Sequence, residues 1–170
     1  MKKITYAMCC AALGCAALLA TTKVKAQATD QDKQFLTTVS QGNLNEIKLS
    51  ELAEHKATDP AVKSFAHKMV VEHEALGRKM KPFAVKWGLT APTSMDSDHQ
   101  QEADKLNGLS GHDFDKEYID AMVKDHDGAY DLFDKEANDT KDARFKATVE
   151  QGKSTVAAHK NMAHDLQGKL

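Results

Sequence analysis

The sequence predicts an all-α protein that folds as a four-helix bundle. Apolar residues recur at spacings of three and four along four long segments, which is the period of an amphipathic helix. Helix start and stop signals bound these segments. Two of the three connections between them are short, and the middle one, over residues 88–111, is long. The 170 residues with three prolines suit one helical domain.

The N-terminus carries the pattern of a secretory signal peptide. A basic start and a mostly apolar run over residues 4–20 precede small residues that permit cleavage. We expect residues 1–26 to be the signal peptide and residues 27–170 to form the bundle domain of a protein exported to the periplasm or cell envelope. Two alternatives remain open, an uncleaved N-terminal anchor and a lipid anchor at Cys15.

Composition excludes several functions for the mature chain. All three cysteines fall in the first 26 residues, so thiolate-bound metals and thiol catalysis are excluded after cleavage. Cleavage leaves 19 basic and 25 acidic residues, a net charge of −6 with neutral histidines. An acidic chain without a Lys/Arg cluster argues against nucleic-acid binding. We expect no strong membrane interaction after cleavage, while a protein partner and a homo-oligomer both remain open.

The helices are expected at about residues 30–56, 60–87, 113–137 and 142–167. Asp59 followed by Pro60 is a strong start signal, and Gly88 ends the second helix. Pro92 breaks the long connection, in which residues 94–106 can form a short helix. A connection of this length can run along the whole bundle. It predicts the up-down-down-up topology of a ferritin-like fold, in which the second and third helices are parallel.

A repeated pentapeptide marks the candidate site. Residues 69–73 read Met-Val-Val-Glu-His, and residues 122–126 read Met-Val-Lys-Asp-His. In each copy the methionine and the histidine are four residues apart, so both lie on the apolar face of the helix. A histidine on that face is costly to bury unless both ring nitrogens are satisfied.

Each helix carries one polar residue near the middle of its apolar stripe, and three imidazoles with a carboxylate can complete a metal site. The candidate ligands are Glu46, His73, His126 and His159, with Met69, Met122 and Met162 as additional candidates. Thioethers would favour copper, above all Cu(I), and the imidazoles with Glu46 would also accept zinc or nickel. His159 would be level with His126 if the turn before the last helix were centred near residue 142 or 143. The turn signals lie two or three residues before that position, so His159 is expected up to one turn from the level of His126.

The same residues allow a second interpretation, a buried hydrogen-bond network that fixes the register of the bundle without a metal. Glu46 would then pair with one or two histidines, and the chain would be a non-enzymatic envelope stress or partner-binding protein. Non-covalent haem ligation by His and Met is a third hypothesis. Glu72 and Asp125 are expected to be solvated or interfacial, with hydrogen bonding to a neighbouring helix's histidine as the alternative. Four other histidines are expected at the surface; they are His67, His99, His112 and His164.

The pattern resembles the exported bacterial family called domain of unknown function 4142. The resemblance covers essentially the whole mature chain and rests on residues 35–36, 42–47, 52–53, 59–66, 69–73, 109–119, 122–126 and His159. It implies a ferritin-like fold and export, and it brings no activity with it.

The chain departs from the di-iron pattern of ferritin-like proteins, which needs Glu-x-x-His on two helices. The residues three before the candidate histidines are Val70, Val123 and Val156. Copper or zinc is therefore expected rather than di-iron. No phosphate-binding loop, nucleophile elbow or pair of catalytic carboxylates occurs in the sequence, so we do not expect an enzyme.

Overall fold

The computed structural model describes residues 27–170 and confirms an all-α, ferritin-like four-helix bundle with a short helix in its crossover. The helices are α1 (Asp30–Lys56), α2 (Pro60–Trp87), α3 (Ser97–Gly108), α4 (Gly111–Asp139) and α5 (Ala143–Gln167). The long helices α1, α2, α4 and α5 form the bundle and begin and end within two residues of the expected bounds. The expected signal peptide lies outside the described residues.

Local sequence explains where the helices begin and end. Asp59 accepts hydrogen bonds from the backbone N–H groups of Ala61 and Val62 at the start of α2, where these groups have no partner within the helix. Asp142 caps α5 in the same way. Gly88 ends α2 with φ of 70°, a left-handed conformation that glycine adopts without strain.

Contacts between helix ends confirm the up-down-down-up topology. The backbone N–H of Asp59, at the start of α2, donates to the Asp115 carboxylate near the start of α4 at 2.8 Å. Lys86, at the end of α2, lies 3.5 Å from Asp142 just after the end of α4. The helices α2 and α4 are therefore parallel. Both α1 and α5 pack against each of them, so the parallel pair lies on a diagonal of the bundle.

The apolar core is divided into two clusters by a polar layer. One cluster, the Tyr118 cluster, contains Leu49, Phe65, Tyr118 and Met122 and includes buried residues of α3. The other, the Phe145 cluster, contains Phe35, Leu76, Phe133 and Phe145. The polar residues between them are Glu46, His73, His126 and His159, all buried. The layer lies at mid-height because each of these residues is near the middle of its helix.

Among residues 27–170, no helix combines the length and the apolar character needed to cross a membrane.

Candidate metal centre

Three histidines from three helices meet in the polar layer. The ring centroids of His73, His126 and His159 are 5.1–5.6 Å apart. One ring nitrogen of each lies within 4.8 Å of the others. The expected offset of His159 is therefore wrong. The reason is that α4 continues to Asp139, two residues beyond its expected end, which moves the turn toward the C-terminus and brings His159 level with His126.

Hydrogen bonds fix which ring nitrogens carry protons. Nδ1 of His126 donates to the Met122 carbonyl at 2.8 Å, and Nε2 of His159 donates to the Glu72 carboxylate at 2.7 Å. Nδ1 of His73 donates to the side-chain oxygen of Asn43 at 3.2 Å. Since these oxygens can only accept, each nitrogen named is protonated in the neutral ring.

The second nitrogen of each ring is left as a lone pair. Within residues 27–170, Nε2 of His73, Nε2 of His126 and Nδ1 of His159 are buried and have no hydrogen-bond partner. A buried polar atom without a partner is destabilising. Three such lone pairs in one layer are the arrangement that a metal ion would satisfy.

Burial keeps the three rings neutral. It lowers the pKa of His73 well below 6.5, lowers that of His126 to about 4, and lowers that of His159. Neighbouring histidines add to the effect for His73 and His126. Neutral imidazole is the form that binds metals, so protons compete little with a metal at neutral pH.

The spacing of the nitrogens suits one ion after a small closure. With metal–nitrogen bonds of about 2.0–2.1 Å, the ligand atoms of a three- or four-coordinate ion are about 3.3–3.6 Å apart. The nitrogens lie within 4.8 Å of one another, an upper bound that exceeds this spacing by about 1.2–1.5 Å, a change within reach of ring rotations.

Glu46 is buried beside the histidines but is not hydrogen-bonded to them. Its Oε1 lies 3.9 Å from Nδ1 of His126, and that N–H already donates to Met122. Burial, with the nearby Asp125 charge, raises the pKa of Glu46 well above 4.5. In the part of the chain that the structure describes, Oε2 of Glu46 has no partner. The Glu46–histidine pairing expected of a purely structural network is thus not formed.

The three candidate methionines lie on one side of the layer, as the parallel arrangement of α2 and α4 requires. Met69 and Met122 are fully buried in the Tyr118 cluster, and Met162 packs against it. Met69 and Met122 are one helical turn, about 6 Å, from their histidines along the axis.

A cavity of about 340 Å³ leads from the surface to the layer, between α1 and α4. Glu46, His73 and His126 line it, and so do the exposed residues Lys124 and Gly128. An ion therefore has a route to two of the three histidines.

Sequence reasoning missed Asn43 as a partner of the site, and for Glu72 it favoured a solvated or interfacial position over the alternative that the structure shows. Glu72 is partly exposed, and its carboxylate accepts hydrogen bonds from His159 and from Lys68. Burial opposes ionisation, but these two bonds keep the pKa of Glu72 below its usual value. A signal for Glu72 was present, because a residue next to His73 points about 100° around the helix, toward a neighbouring helix.

His99 is also placed differently from its surface expectation. It is half-buried at the cavity, with Nδ1 at 2.8 Å from Asp96 and Nε2 at 3.4 Å from Asp125. The hydrogen bond with Asp125, with that of Asp96, raises the pKa of His99 to about 9. It is therefore a cation at neutral pH that attaches α3 to α4. His67, His112 and His164 are exposed as expected.

Comparisons with known proteins agree with this fold. The model of the family described as domain of unknown function (DUF4142) matches residues 17–166. No curated protein matches the chain. Among solved structures, a DUF305 fragment from Deinococcus radiodurans has a TM-score of 0.74 at 17% identity, covering 85% of this chain and 100% of that one.

Two further structural neighbours have descriptions that bear on function. CopM in its Cu(II)-bound form has a TM-score of 0.68 at 21% identity, covering 85% of this chain and 99% of CopM. CopM structures with Cu(I) and with silver are also similar to this chain. A DUF305 protein from Streptomyces coelicolor, presumed by its description to be secreted, has a TM-score of 0.70 at 16% identity, covering 82% of this chain and 93% of that one. At these identities the likeness shows the fold alone.

Proposed function

We propose a copper-binding role for this chain, which belongs to the DUF4142 family. The ligands in this proposal are His73, His126 and His159. The observation that carries it is the set of three buried imidazole nitrogens without hydrogen-bond partners among the described residues.

The ligand set favours Cu(I) over divalent ions. Three neutral imidazoles supply no negative charge to compensate the charge of a bound ion. An uncompensated buried charge is costly, and a divalent ion brings more of it than a monovalent one. A monovalent ion with a preference for soft ligands and low coordination number suits this layer. The additional candidate ligands are the thioethers on one side of the layer, those of Met69, Met122 and Met162. The Cu(I)-bound and silver-bound forms of CopM support the choice of a soft monovalent ion.

Zinc is the second ion. A structural zinc site usually has four ligands, and Glu46 is the carboxylate available in the layer. Since burial raises its pKa, Glu46 would have to lose a proton when zinc binds. Haem is disfavoured because each of the three rings lies within 5.6 Å of the other two, so the third would occupy the space of a porphyrin.

In this proposal the chain is exported and binds the metal without catalysing a reaction. Its signal-peptide pattern over residues 1–26 and the presumed secretion of a structural neighbour support export. The absence of catalytic motifs in the sequence supports a binding or buffering role for copper in the periplasm or cell envelope.

The test is elemental analysis of the mature protein purified from the periplasm without chelator, followed by anaerobic Cu(I) titration against a chromophoric competitor. We expect one copper per chain in the wild type. His126→Leu should weaken Cu(I) binding more than about 100-fold, because it removes a ligand rather than a ligand's partner. Leucine removes the unpartnered nitrogen at similar volume, so the metal-free variant should keep its stability.

His67→Gln is the matched control, since His67 is an exposed histidine paired with Glu54; it should bind copper like the wild type. The proposal would be contradicted if the wild type stayed metal-free in copper and zinc titrations and His126→Leu were less stable than the wild type. That result would favour the structural network.

A further inference from the structure

A second polar cluster lies at the other end of the bundle, where α1 begins and α4 ends. Asp32, Glu136 and Thr140 are only 2%, 2% and 6% exposed. It is separated from the histidine layer by the Phe145 cluster, so it requires an explanation of its own.

One oxygen of each carboxylate is already engaged. Oδ2 of Asp32 accepts from the backbone N–H and the hydroxyl of Thr29 at 2.6 and 2.8 Å, which closes the cap of α1. Oε2 of Glu136 accepts from Gln31 at 3.2 Å. These bonds hold the two carboxylates in position.

Three oxygens remain. Within residues 27–170, Oδ1 of Asp32, Oε1 of Glu136 and the hydroxyl oxygen of Thr140 are buried and have no hydrogen-bond partner. Although burial opposes ionisation of Asp32, the Thr140 and Glu136 side chains lie close enough to it to help hold its pKa below its usual value. The free oxygens of two helices therefore meet at one place.

The charge of this cluster is not balanced by the protein. In the described part of the chain, no lysine or arginine forms an ion pair with Asp32 or Glu136; the nearby Lys135 pairs with Asp139 instead. The last turn of α4 contains no basic residue, although the C-terminus of a helix carries partial negative charge. A buried anionic pair beside that terminus is unfavourable unless a cation or a proton joins it.

We infer that Asp32, Glu136 and Thr140 form a binding site for a hard divalent cation of the Mg²⁺ or Ca²⁺ class. Carboxylate and hydroxyl oxygens are hard ligands, unlike the imidazoles and thioethers of the central layer. Thr140 adds a third oxygen ligand for a cation, whereas a proton shared by the two carboxyl groups needs only their own oxygens. Water commonly completes the coordination of such ions.

The ion would fasten the start of α1 to the end of α4. Gln31 and the exposed Asp139 are joined by a hydrogen bond of 3.0 Å at the rim of the cluster, on the side facing solvent. This site is independent of the copper site, since it uses other residues and another class of ligand atom.

The test is thermal unfolding of the whole mature chain at pH 7.5 with 10 mM MgCl2 or CaCl2, against NaCl at equal ionic strength. Calcium sites in extracellular modules bind in the range of about 0.1–1 mM, so in 10 mM calcium the wild-type Tm should rise by roughly 3–11 °C. The same rise is expected in His126→Leu, which lacks the proposed copper site.

Glu136→Gln should abolish the rise. Its amide can donate to Asp32, so the ion-free variant should be folded and at least as stable as the wild type. Thr140→Val should reduce the rise, and Asp139→Asn, a change at the exposed neighbouring carboxylate, should keep it. One bound Mn²⁺ per chain, observed by electron paramagnetic resonance in the wild type and absent in Glu136→Gln, would give direct support.

The inference is overturned if neither ion changes the wild-type Tm more than that of Glu136→Gln. A wild type that is instead stabilised by lowering the pH from 8 to 6 would show that a shared proton neutralises the pair. Burial, with the nearby Asp32, raises the pKa of Glu136 to about 7, so a proton-stabilised pair would weaken as the pH rises through that value.

Discussion

At the scale of single residues, the two acidic positions of the repeated pentapeptide perform different tasks. Glu72 accepts a hydrogen bond from His159 on α5, whereas Asp125 lies against His99 on α3. The two copies are on diagonal helices, so the residue beside each histidine faces a different neighbour. Glu72 thereby orients a proposed ligand, and Asp125 attaches the crossover helix.

The link between Glu72 and His159 can be tested without touching a ligand. Glu72→Gln keeps the size of the side chain but removes its negative charge. That charge fixes the proton on Nε2 of His159 and thereby keeps Nδ1 available to a metal. Partners of this kind typically contribute 10–100-fold to metal affinity. We expect a loss of that order in Cu(I) affinity, measured by competition with a chromophoric chelator.

The control for this prediction is Glu74→Gln, two residues away on the same helix and exposed in an ion pair with Arg78. It removes the same charge and should leave affinity unchanged. Equal losses in both variants would mean that Glu72 acts through long-range charge and not through His159.

At the scale of helices, a glycine of α5 packs directly against an aromatic ring of α4. A Cβ atom added at Gly152 would lie 2.3 Å from the ring of Phe133. That ring is 2% exposed and packs edge-on against Phe35 at 5.1 Å between centroids. Because the ring is held on both sides, it cannot move away cheaply.

Gly152→Ala should therefore destabilise the protein despite the better helix propensity of alanine. Overpacking costs about 1–3 kcal/mol, which exceeds the gain of about 1 kcal/mol from replacing glycine in a helix. Urea unfolding should show a net loss of up to about 2 kcal/mol in the free energy of unfolding.

Gly128→Ala gives the comparison, since an added Cβ at this α4 position meets no atom within 4 Å among the described residues. It should stabilise the protein by up to about 1 kcal/mol. Stabilisation by both substitutions would show that Phe133 has room to shift.

At the scale of the whole molecule, a polar layer separates two apolar clusters. The layer is unfavourable for stability when no metal is bound, because its rings are buried without partners for one nitrogen each. We interpret it as a site maintained for binding, in keeping with the expectation that functional sites break the rules that otherwise favour a fold.

The metal-free protein should lose stability as the pH falls from 7 to 5. The three histidines have lowered pKa values in the folded state and about 6.5 when unfolded. Below pH 6.5 the unfolded chain binds more protons, so acidification favours unfolding. Each histidine contributes up to about 1.4 kcal/mol per pH unit, which urea unfolding in the presence of chelator measures.

His126→Leu removes one of these three histidines and leaves the other titratable residues in place. The variant should lose less stability than the wild type between pH 6.5 and 5, by up to one histidine's contribution. Identical slopes for the two proteins would mean that His126 is protonated in the folded state and is not available to a metal at these pH values.

Much of the fold follows from local sequence. The caps Asp59 and Asp142 and the terminator Gly88 set helix ends through hydrogen bonds and backbone conformation within a few residues. The 3.6-residue period identifies the buried face of each helix, and the long connection determines the parallel pair. These features depend on contacts near in sequence, which is why they could be predicted.

The candidate site was predicted in part. The histidines could be identified because a polar residue in an apolar stripe is visible in the sequence alone. Their level could not, since it depends on where the α4–α5 turn falls, and an error of two residues moves His159 by about 3 Å. Asn43 was missed and the hydrogen bond of Glu72 was only the less favoured alternative, because hydrogen bonds between helices depend on how the helices are rotated about their axes.

The helical class, the order and approximate bounds of the helices and the candidate metal ligands could be read from the sequence, because periodicity and capping act over a few residues. The packed structure was needed to show which nitrogen of each histidine is free, that Glu46 is not hydrogen-bonded to the histidines, and that Asp32 and Glu136 lie close together. Those outcomes depend on the relative position and rotation of helices that are far apart in the chain.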